Sequence, residues 1–192
     1  MIRGLVALGA VLALLAGADH AQAQGFFGDS RDIMNSGPNY FEGGASPIPR
    51  TTVYYPTNYA PGTIIVNTAE RRLYLVQSDG TAIRYGIGVG RDGFRWSGVH
   101  RVSAKKEWPG WTPPAQMRRR RPDLPGHMVG GIENPLGARA IYLGSTLYRI
   151  HGSNEPETIG QAVSSGCFRM TNADVVDLYN RVRVGATVVV KN

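Results

Sequence analysis

The residue best suited to chemistry in this chain of 192 residues is its single cysteine, Cys167. It lies in the segment SSGCFRM at positions 164–170, sixteen positions after His151. A thiol attacks as its thiolate, and a free cysteine has a pKa near ~8.5, so a neighbouring imidazole is needed to lower that pKa. A cysteine and a histidine from separate segments, brought together by the fold, supply such a pair.

The residues next to Cys167 are small. Ser165 and Gly166 leave room for a substrate backbone and let main-chain N–H groups point toward a developing oxyanion. Cys167 could equally be a small hydrophobic residue of the core, since free cysteines are among the most buried residues in proteins. The spacing alone leaves both interpretations open.

Two further observations favour a reactive thiol. The N-terminus is typical of an exported protein, where a lone cysteine cannot form an internal disulfide. In the run LYRIH at positions 147–151, strand alternation places His151 on the same face as Leu147 and Arg149. A histidine that shares a face with an arginine more often borders a cleft than fills a core.

Three segments together resemble the signature of the L,D-transpeptidases, the YkuD-domain enzymes of bacterial peptidoglycan. They are YLG at 142–144, YRIHG at 148–152 and SSGCFRM at 164–170. The resemblance covers roughly residues 62–192, and its last third carries most of the specificity. Many members have histidine where this chain has Ser165, so any role of that second histidine is absent here.

The resemblance implies a role for each matching residue. Cys167 would be the nucleophile, His151 the general base, and the carbonyl of Gly152 the group that orients the imidazole. The residues implied in oxyanion or substrate binding are Gly166, Ser165, Arg169 and Tyr142.

The family cleaves a stem peptide between an L-centre and a D-centre and passes the acyl group to an amine. The resemblance therefore implies a peptidoglycan L,D-transpeptidase that acts on tetrapeptide stems, needs no cofactor and is a carbapenem target. The acceptor amine could belong to a second stem, to an outer-membrane protein or to a D-amino acid. Two alternatives remain: an L,D-carboxypeptidase that passes the acyl group to water, and a non-catalytic protein that binds the cell wall.

The first 23 residues predict a secretory signal peptide. Arg3 provides a basic start, an apolar run extends from Leu5 to Ala16, and Ala21 and Ala23 form an A-x-A cleavage site. The run is shorter than the ~20 residues that span a bilayer, and no later apolar run reaches that length. We expect cleavage after Ala23, a periplasmic protein, and no transmembrane segment in the mature chain.

The formal net charge is +7 at pH 7. A basic exported protein could meet nucleic acid, an anionic membrane surface or an anionic wall polymer. Export argues against nucleic acid and favours the carboxylate-bearing wall. Four adjacent arginines, Arg118–Arg121, suit carboxylate contact, although such runs are more often solvated.

One cysteine and no histidine-rich spacing predict no metal site.

The chain divides at about residue 62. Residues 24–61 are rich in glycine and proline without a sustained period, which predicts a flexible linker, or an arm whose aromatic residues dock on the domain. Residues 62–192 predict a mainly β, sandwich-like domain of the YkuD type, because short β-rich runs alternate with glycine turns. The expected strands are 63–67, 72–77, 81–85, 98–106, 140–143, 147–151 and 186–190.

One clear helix is expected near the C-terminus. Thr171 followed by Asp174 is a capping box that opens it, and Gly185 lies just beyond its end. The segment Trp108–Pro114 predicts a rigid aromatic loop, either a hydrophobic plug or a substrate contact. The resemblance places the glycine-rich loop Gly86–Gly93 beside the active-site groove.

Overall fold

The computed structural model describes residues 45–192, which belong to one compact unit. The predicted signal peptide with its cleavage site, and residues 24–44 of the predicted linker, lie outside the described residues. Within residues 45–192, the helices are too short or too polar to cross a bilayer.

Strands dominate this part of the chain, which confirms the predicted mainly β fold. The strands are β1 Thr51–Tyr54, β2 Ile64–Asn67, β3 Arg72–Val76, β4 Thr81–Gly86, β5 Val89–Gly90, β6 Gly98–Glu107, β7 Arg139–Leu143, β8 Arg149–His151, β9 Ala162–Ser164, β10 Phe168–Arg169 and β11 Thr187–Lys191. The helices are α1 Ala115–Arg120 and α2 Asn172–Arg181, with a 3-10 turn at Pro156–Thr158.

Nine strands hydrogen-bond in the order β1-β4-β3-β2-β11-β6-β7-β8-β10, and β5 pairs with β9 separately. The long strand β6 serves both halves of the larger sheet: its first residues pair with β11 and its last residues pair with β7. The register shifts between Val102 and Ala104. Such irregularities bend a strand, so β6 can pass from one half to the other.

Both halves contribute to one hydrophobic core. Ile64 and Leu73 come from the first half, Ile141 from the second, and Leu178 from α2, and all four are fully buried. Burying a side chain of this size contributes about 1.5–3 kcal/mol. The core therefore ties the helix to both halves of the sheet.

Both ends of α2 are capped by side chains. The Thr171 hydroxyl accepts the Asp174 N–H at 3.2 Å, as the capping box predicted. At the other end, Lys105 Nζ donates to the carbonyls of Tyr179 and Val182 at 2.6 and 2.7 Å. A cation at this end also favours the helix dipole. These contacts fix the helix that follows the cysteine segment.

The segment after the aromatic loop contains a second helix that the sequence analysis did not predict. α1 holds three of the four consecutive arginines and has no buried residue. Without an apolar face, hydrophobic periodicity could not identify it. Its residues, glutamine, methionine and arginine, are nevertheless good helix formers.

Residues 45–61 are the described part of the predicted linker. They contain β1, which pairs antiparallel with β4 at the edge of the sheet. The guanidinium of Arg50 lies 3.5 Å from a carboxylate oxygen of Asp174 and 3.4 Å from one of Asp177, both in α2. Ile48 lies so close to Gly86 that a β-carbon built there would come within 2.6 Å of it. These residues pack on the domain as an arm.

Candidate active site

Two neighbouring parallel strands place the cysteine and the histidine on one face. β8 and β10 pair with Ile150 beside Phe168 and with His151 beside Arg169. Ile150 and Phe168 are buried in the core. Because side chains alternate along a strand, His151 and Arg169 lie on the opposite face, as does Cys167 just before β10.

The same alternation sets Arg149 beside Cys167, one step before Ile150 and Phe168. Neighbouring strands are about 4.8 Å apart, so Arg149 is the lateral neighbour of Cys167, whereas His151 is a diagonal one. The thiol has the Leu147 carbonyl oxygen 3.9 Å away. Within residues 45–192 it makes no hydrogen bond to His151. The candidate nucleophile and the candidate base thus share a face without a hydrogen bond between them.

The histidine is held in one orientation. His151 Nδ1 lies 2.5 Å from the carbonyl oxygen of Gly152, so Nδ1–H donates and Nε2 keeps its lone pair. Burial is the main cause that lowers the pKa of His151 to about 3; the charges of Arg169 and Arg149 act in the same direction, and the hydrogen bond to the Gly152 carbonyl opposes them. The imidazole is therefore neutral at neutral pH and can accept a proton.

The thiol differs from the sequence expectation. Burial raises the pKa of Cys167, whereas the charge of Arg149, its main-chain N–H and the charge of Arg169 act to lower it. The sequence predicts that an adjacent imidazole lowers this pKa, but His151 carries no charge and, within residues 45–192, makes no hydrogen bond to the thiol. The resting site holds a neutral thiol and a neutral imidazole.

A tight turn carries the cysteine. The hydroxyl of Ser164 donates to the Cys167 carbonyl at 2.6 Å and accepts the Gly166 N–H at 3.2 Å. Trp96 Nε1 donates to the Gly166 carbonyl at 2.7 Å, and its ring stacks on Tyr148 with centroids 4.4 Å apart. The N–H of Gly166, predicted to face the oxyanion, is therefore already engaged.

The two residues that hold this turn, Ser164 and Trp96, are not among the predicted site residues. Ser164 stood inside the recognised motif, so its position was a usable signal. Trp96 lies far from Cys167 in sequence, and only the tertiary structure brings it to the turn.

A cavity of about 390 Å³ opens above the cysteine. Trp111 and Pro114 form part of its wall, so the aromatic loop borders the groove. No residue of the predicted loop Gly86–Gly93 lines this cavity, although Phe94, the residue that follows the loop, does. The remaining lining residues are Gln116, Met117, Arg120, Pro135, Leu136, Leu147, Tyr148, Arg149, His151, Ser164, Ser165, Cys167 and Arg169.

Three predicted site residues do not line this cavity. Gly152 and Gly166 act from beside it, through the main-chain contacts described above. Tyr142 lies on β7 as the strand partner of Arg149, and the Arg149 guanidinium is 5.4 Å from the centre of its ring. Tyr142 therefore contacts the guanidinium of Arg149 from the adjacent strand.

The arginines of the cavity differ in their partners. Arg169 Nη1 lies 2.6 Å from a carboxylate oxygen of Glu155, so its charge is paired. In residues 45–192, neither Arg149 nor Arg120 has a carboxylate within ion-pair distance. The same residues contain no group of three or more His, Cys, Asp or Glu side chains placed to hold a metal ion.

Comparison with known proteins gives a consistent family. Residues 61–190 match the YkuD model, described as the L,D-transpeptidase catalytic domain. A protein of Escherichia coli strain K12 named "Probable L,D-transpeptidase ErfK/SrfK" is 41% identical over 134 residues, which cover 65% of this chain and 42% of that protein. The chain thus matches less than half of that relative's length.

Two solved structures share the fold. An L,D-transpeptidase from Mycobacterium smegmatis superposes with a TM-score of 0.56 at 15% identity, over 69% of this chain and 59% of that chain. A Brucella melitensis structure is 45% identical with a TM-score of 0.52, over 74% of this chain and 92% of that chain. Its title describes a probable carnitine operon oxidoreductase, whereas the family model and the E. coli relative are described as L,D-transpeptidases.

Proposed function

This chain belongs to the YkuD family of L,D-transpeptidase catalytic domains, and on that premise we propose that it is a periplasmic peptidoglycan L,D-transpeptidase. Cys167 is the nucleophile and His151 the general base. The observation that carries this proposal is the pairing of β8 with β10, which sets a lone thiol and a neutral imidazole on the wall of one cavity. The donor is a tetrapeptide stem, attacked at the carbonyl before its terminal D-residue.

The first step forms a thioester. His151 Nε2 takes the thiol proton as the sulfur of Cys167 attacks the carbonyl carbon, because the resting thiol is protonated. The main-chain N–H of Cys167 supports the resulting oxyanion. The C–N bond then breaks, the departing amine takes the proton from His151, and the acyl group stays on sulfur.

The second step passes the acyl group to an acceptor. The acceptor amine attacks the thioester and gives a proton to His151, and the thiolate of Cys167 leaves and is reprotonated. A second stem peptide, an outer-membrane protein or a D-amino acid could supply the amine. Water would give the carboxypeptidase reaction instead. Trp111, Pro114 and Leu136 make part of the cavity wall apolar, which disfavours an ordered water and supports transfer.

The test uses pure mature protein with a disaccharide-tetrapeptide. We expect release of the terminal D-alanine, a dimer linked between third-position residues, and exchange when a free D-amino acid is added, all resolved by mass. Cys167→Ala should abolish every product and His151→Ala should slow them strongly. Tripeptide alone, at any amine concentration, would favour the carboxypeptidase.

Acylation by a carbapenem supplies a second readout, because its strained carbonyl mimics the donor. Intact mass should show one adduct on the wild type and none on Cys167→Ala. If neither the stem nor the carbapenem modifies Cys167, the non-catalytic wall-binding alternative gains support.

The periplasmic location rests on the predicted signal peptide. N-terminal sequencing of protein from the periplasm should begin at Gln24, directly after Ala23. A mature protein that still begins at Met1 would contradict the export argument.

A further inference from the structure

We infer that Arg149 binds the free carboxylate of the donor's leaving residue, so that the site recognises a C-terminal carboxylate beside the bond it cleaves. This inference rests on the proposed function, because it presumes that a peptide acylates Cys167. It assigns the terminal carboxylate to a residue that the motif comparison left without a role.

The position of Arg149 follows from the strand register. Because Ile150 pairs with Phe168 in a parallel ladder, the residues before them, Arg149 and Cys167, are lateral neighbours on the cavity face. Both line the same cavity. The ring of Tyr142 on the adjacent strand lies 5.4 Å from the guanidinium carbon and supports it. A rigid sheet, not a loop, thus fixes this cation beside the nucleophile.

The charge of Arg149 is available for a ligand. Its side chain is half-buried, and one Nη donates to the Leu147 carbonyl at 3.2 Å. Its Nε is buried without a hydrogen-bond partner in residues 45–192, which also offer it no carboxylate within ion-pair distance. Arg169 contrasts with it, since Glu155 already neutralises that guanidinium at 2.6 Å. An anion that binds beside a half-buried cation stabilises its charge and accepts hydrogen bonds from its unused N–H donors.

The leaving residue carries such an anion at the right distance. Its carboxylate carbon is three bonds from the attacked carbonyl carbon, through N and Cα, so the two carbons are at most about 3.8 Å apart. That separation is similar to the spacing of about 4.8 Å between neighbouring strands. With the attacked carbonyl at Cys167, the carboxylate is therefore within reach of Arg149 when the leaving residue extends toward β8. A guanidinium can hold a carboxylate through two parallel hydrogen bonds.

Arg120 is the other cavity arginine without a carboxylate partner among residues 45–192. It lies on α1, with its guanidinium 5.6 Å from the centre of the Phe94 ring. It is not on the strands that carry the thiol, so we assign the carboxylate beside the scissile bond to Arg149 alone.

The experiment compares two donors that differ only at this carboxylate: a tetrapeptide with a free C-terminus and the same peptide as its C-terminal primary amide. The rate of Cys167 acylation is measured for each by intact mass over a range of donor concentrations. For the wild type we expect the free acid to be about 10- to 100-fold better in kcat/KM, the usual worth of a hydrogen bond to a charged group. In Arg149→Gln the ratio should fall to within about twofold of unity if that bond supplies it.

Two variants serve as comparisons. Arg118→Gln removes a charge from α1 outside the cavity lining, so it should keep the wild-type ratio. Arg149→Lys keeps the charge without the planar fork, so an intermediate ratio is expected. If Arg149→Gln does not fold, the ratio of kcat/KM for the acid and amide donors in the wild type and in Arg149→Lys still tests whether Arg149 binds the carboxylate.

Three outcomes overturn the inference. Equal wild-type rates with both donors would show that the carboxylate is not recognised. An unchanged ratio in Arg149→Gln, with both donors and iodoacetamide slowed equally, would show that Arg149 only stabilises the thiolate. If neither donor acylates the wild type, the proposed function fails as well, and that result is distinct from equal acylation by both.

Discussion

Burial determines the protonation state of both Cys167 and His151, the proposed nucleophile and general base. His151 is buried and neutral, and the thiol of Cys167 has a raised pKa, so the two side chains do not form a thiolate–imidazolium ion pair. The only cations near the sulfur are those of Arg149 and Arg169 in the part of the chain that the structure describes, and Glu155 pairs the second of them. The thiolate is therefore expected to form during attack and not before it.

Alkylation by iodoacetamide tests this directly. We expect Cys167 to react slowly at about pH 7, with a rate that climbs beyond the ordinary thiol range near ~8.5, because only the thiolate reacts and burial raises its pKa. Arg149→Gln should react more slowly still. Intact mass gives the rate, and Cys167→Ala is the blank. A half-maximal rate below about pH 7 would instead indicate a thiolate–imidazolium pair.

His151 should make the fold sensitive to acid. Below about pH 6.5 the unfolded chain protonates this imidazole, whereas the folded protein does so only near a pKa of about 3. The unfolded state thus binds the extra proton, and the free energy of unfolding falls as the pH drops through this window. The slope should be at most about 1.4 kcal/mol per pH unit.

Urea unfolding of the wild type and His151→Gln across that window isolates the contribution. The variant should lose less stability on acidification, since the titrating carboxylates are common to both proteins. Identical slopes would mean that His151 is not protonated differently in the folded and unfolded states.

Among the elements, the turn at 164–167 and the arm depend on close packing. Gly166 has a φ of +107°, and a β-carbon there would lie 2.5 Å from Tyr148 Cε1. Tyr148 in turn stacks on Trp96, which holds the Gly166 carbonyl. Tyr148 and Trp96 therefore hold the turn through close packing and a hydrogen bond.

Alanine at Gly166 should cost more stability than alanine at a matched glycine. Gly185 has a φ of +90° but no atom within 4 Å of a built β-carbon. Each substitution should cost about 1–2 kcal/mol of backbone strain, and only Gly166→Ala adds a clash and displaces Cys167. Urea unfolding and carbapenem acylation measure the two effects. Equal losses in both variants would refute the clash.

The arm should stabilise the sheet edge that it covers. A chain beginning at residue 62 lacks β1 and Arg50, which leaves the edge of β4 unpaired. We expect its melting temperature to fall by about 3–8 °C relative to a chain beginning at residue 45. Arg50→Gln alone should cost less than about 1 kcal/mol, because the guanidinium is partly exposed. Unchanged melting on truncation would make the arm dispensable.

For the molecule as a whole, charge favours anionic substrates. The chain carries a formal +7, and α1 places Arg118 and Arg119 beside the cavity-lining Arg120. If the proposed function holds, such a surface should raise the encounter rate of carboxylate-bearing stems, and salt should screen the attraction over about 10 Å at 0.1 M.

Donor acylation should therefore slow as salt rises, while alkylation by neutral iodoacetamide should not. Replacing Arg118 and Arg119 together by glutamine should flatten the salt dependence of kcat/KM with little change in kcat. Stopped reactions at several salt concentrations supply the slopes. If the salt dependence of kcat/KM is the same in the double variant and the wild type, Arg118 and Arg119 are not the residues that attract the donor.

Local sequence patterns were enough for much of this description. The motif around Cys167 and the YRIHG segment indicated the family, and β-rich runs bounded by turn residues predicted most strands because both signals lie within each strand and its flanking turns. The capping box at Thr171 predicted the start of α2 for the same reason: the cap and its partner are three residues apart.

Only the tertiary structure decided the features that depend on residues far apart in sequence. The register of β8 with β10 makes Arg149, not His151, the lateral neighbour of the thiol, and no local pattern encodes that register. The direction of the Cys167 pKa shift follows from burial, which the whole fold sets. Trp96 reaches the cysteine turn, and residues 51–54 pair with β4, through long-range contacts whose free energy appears only when the distant segments meet.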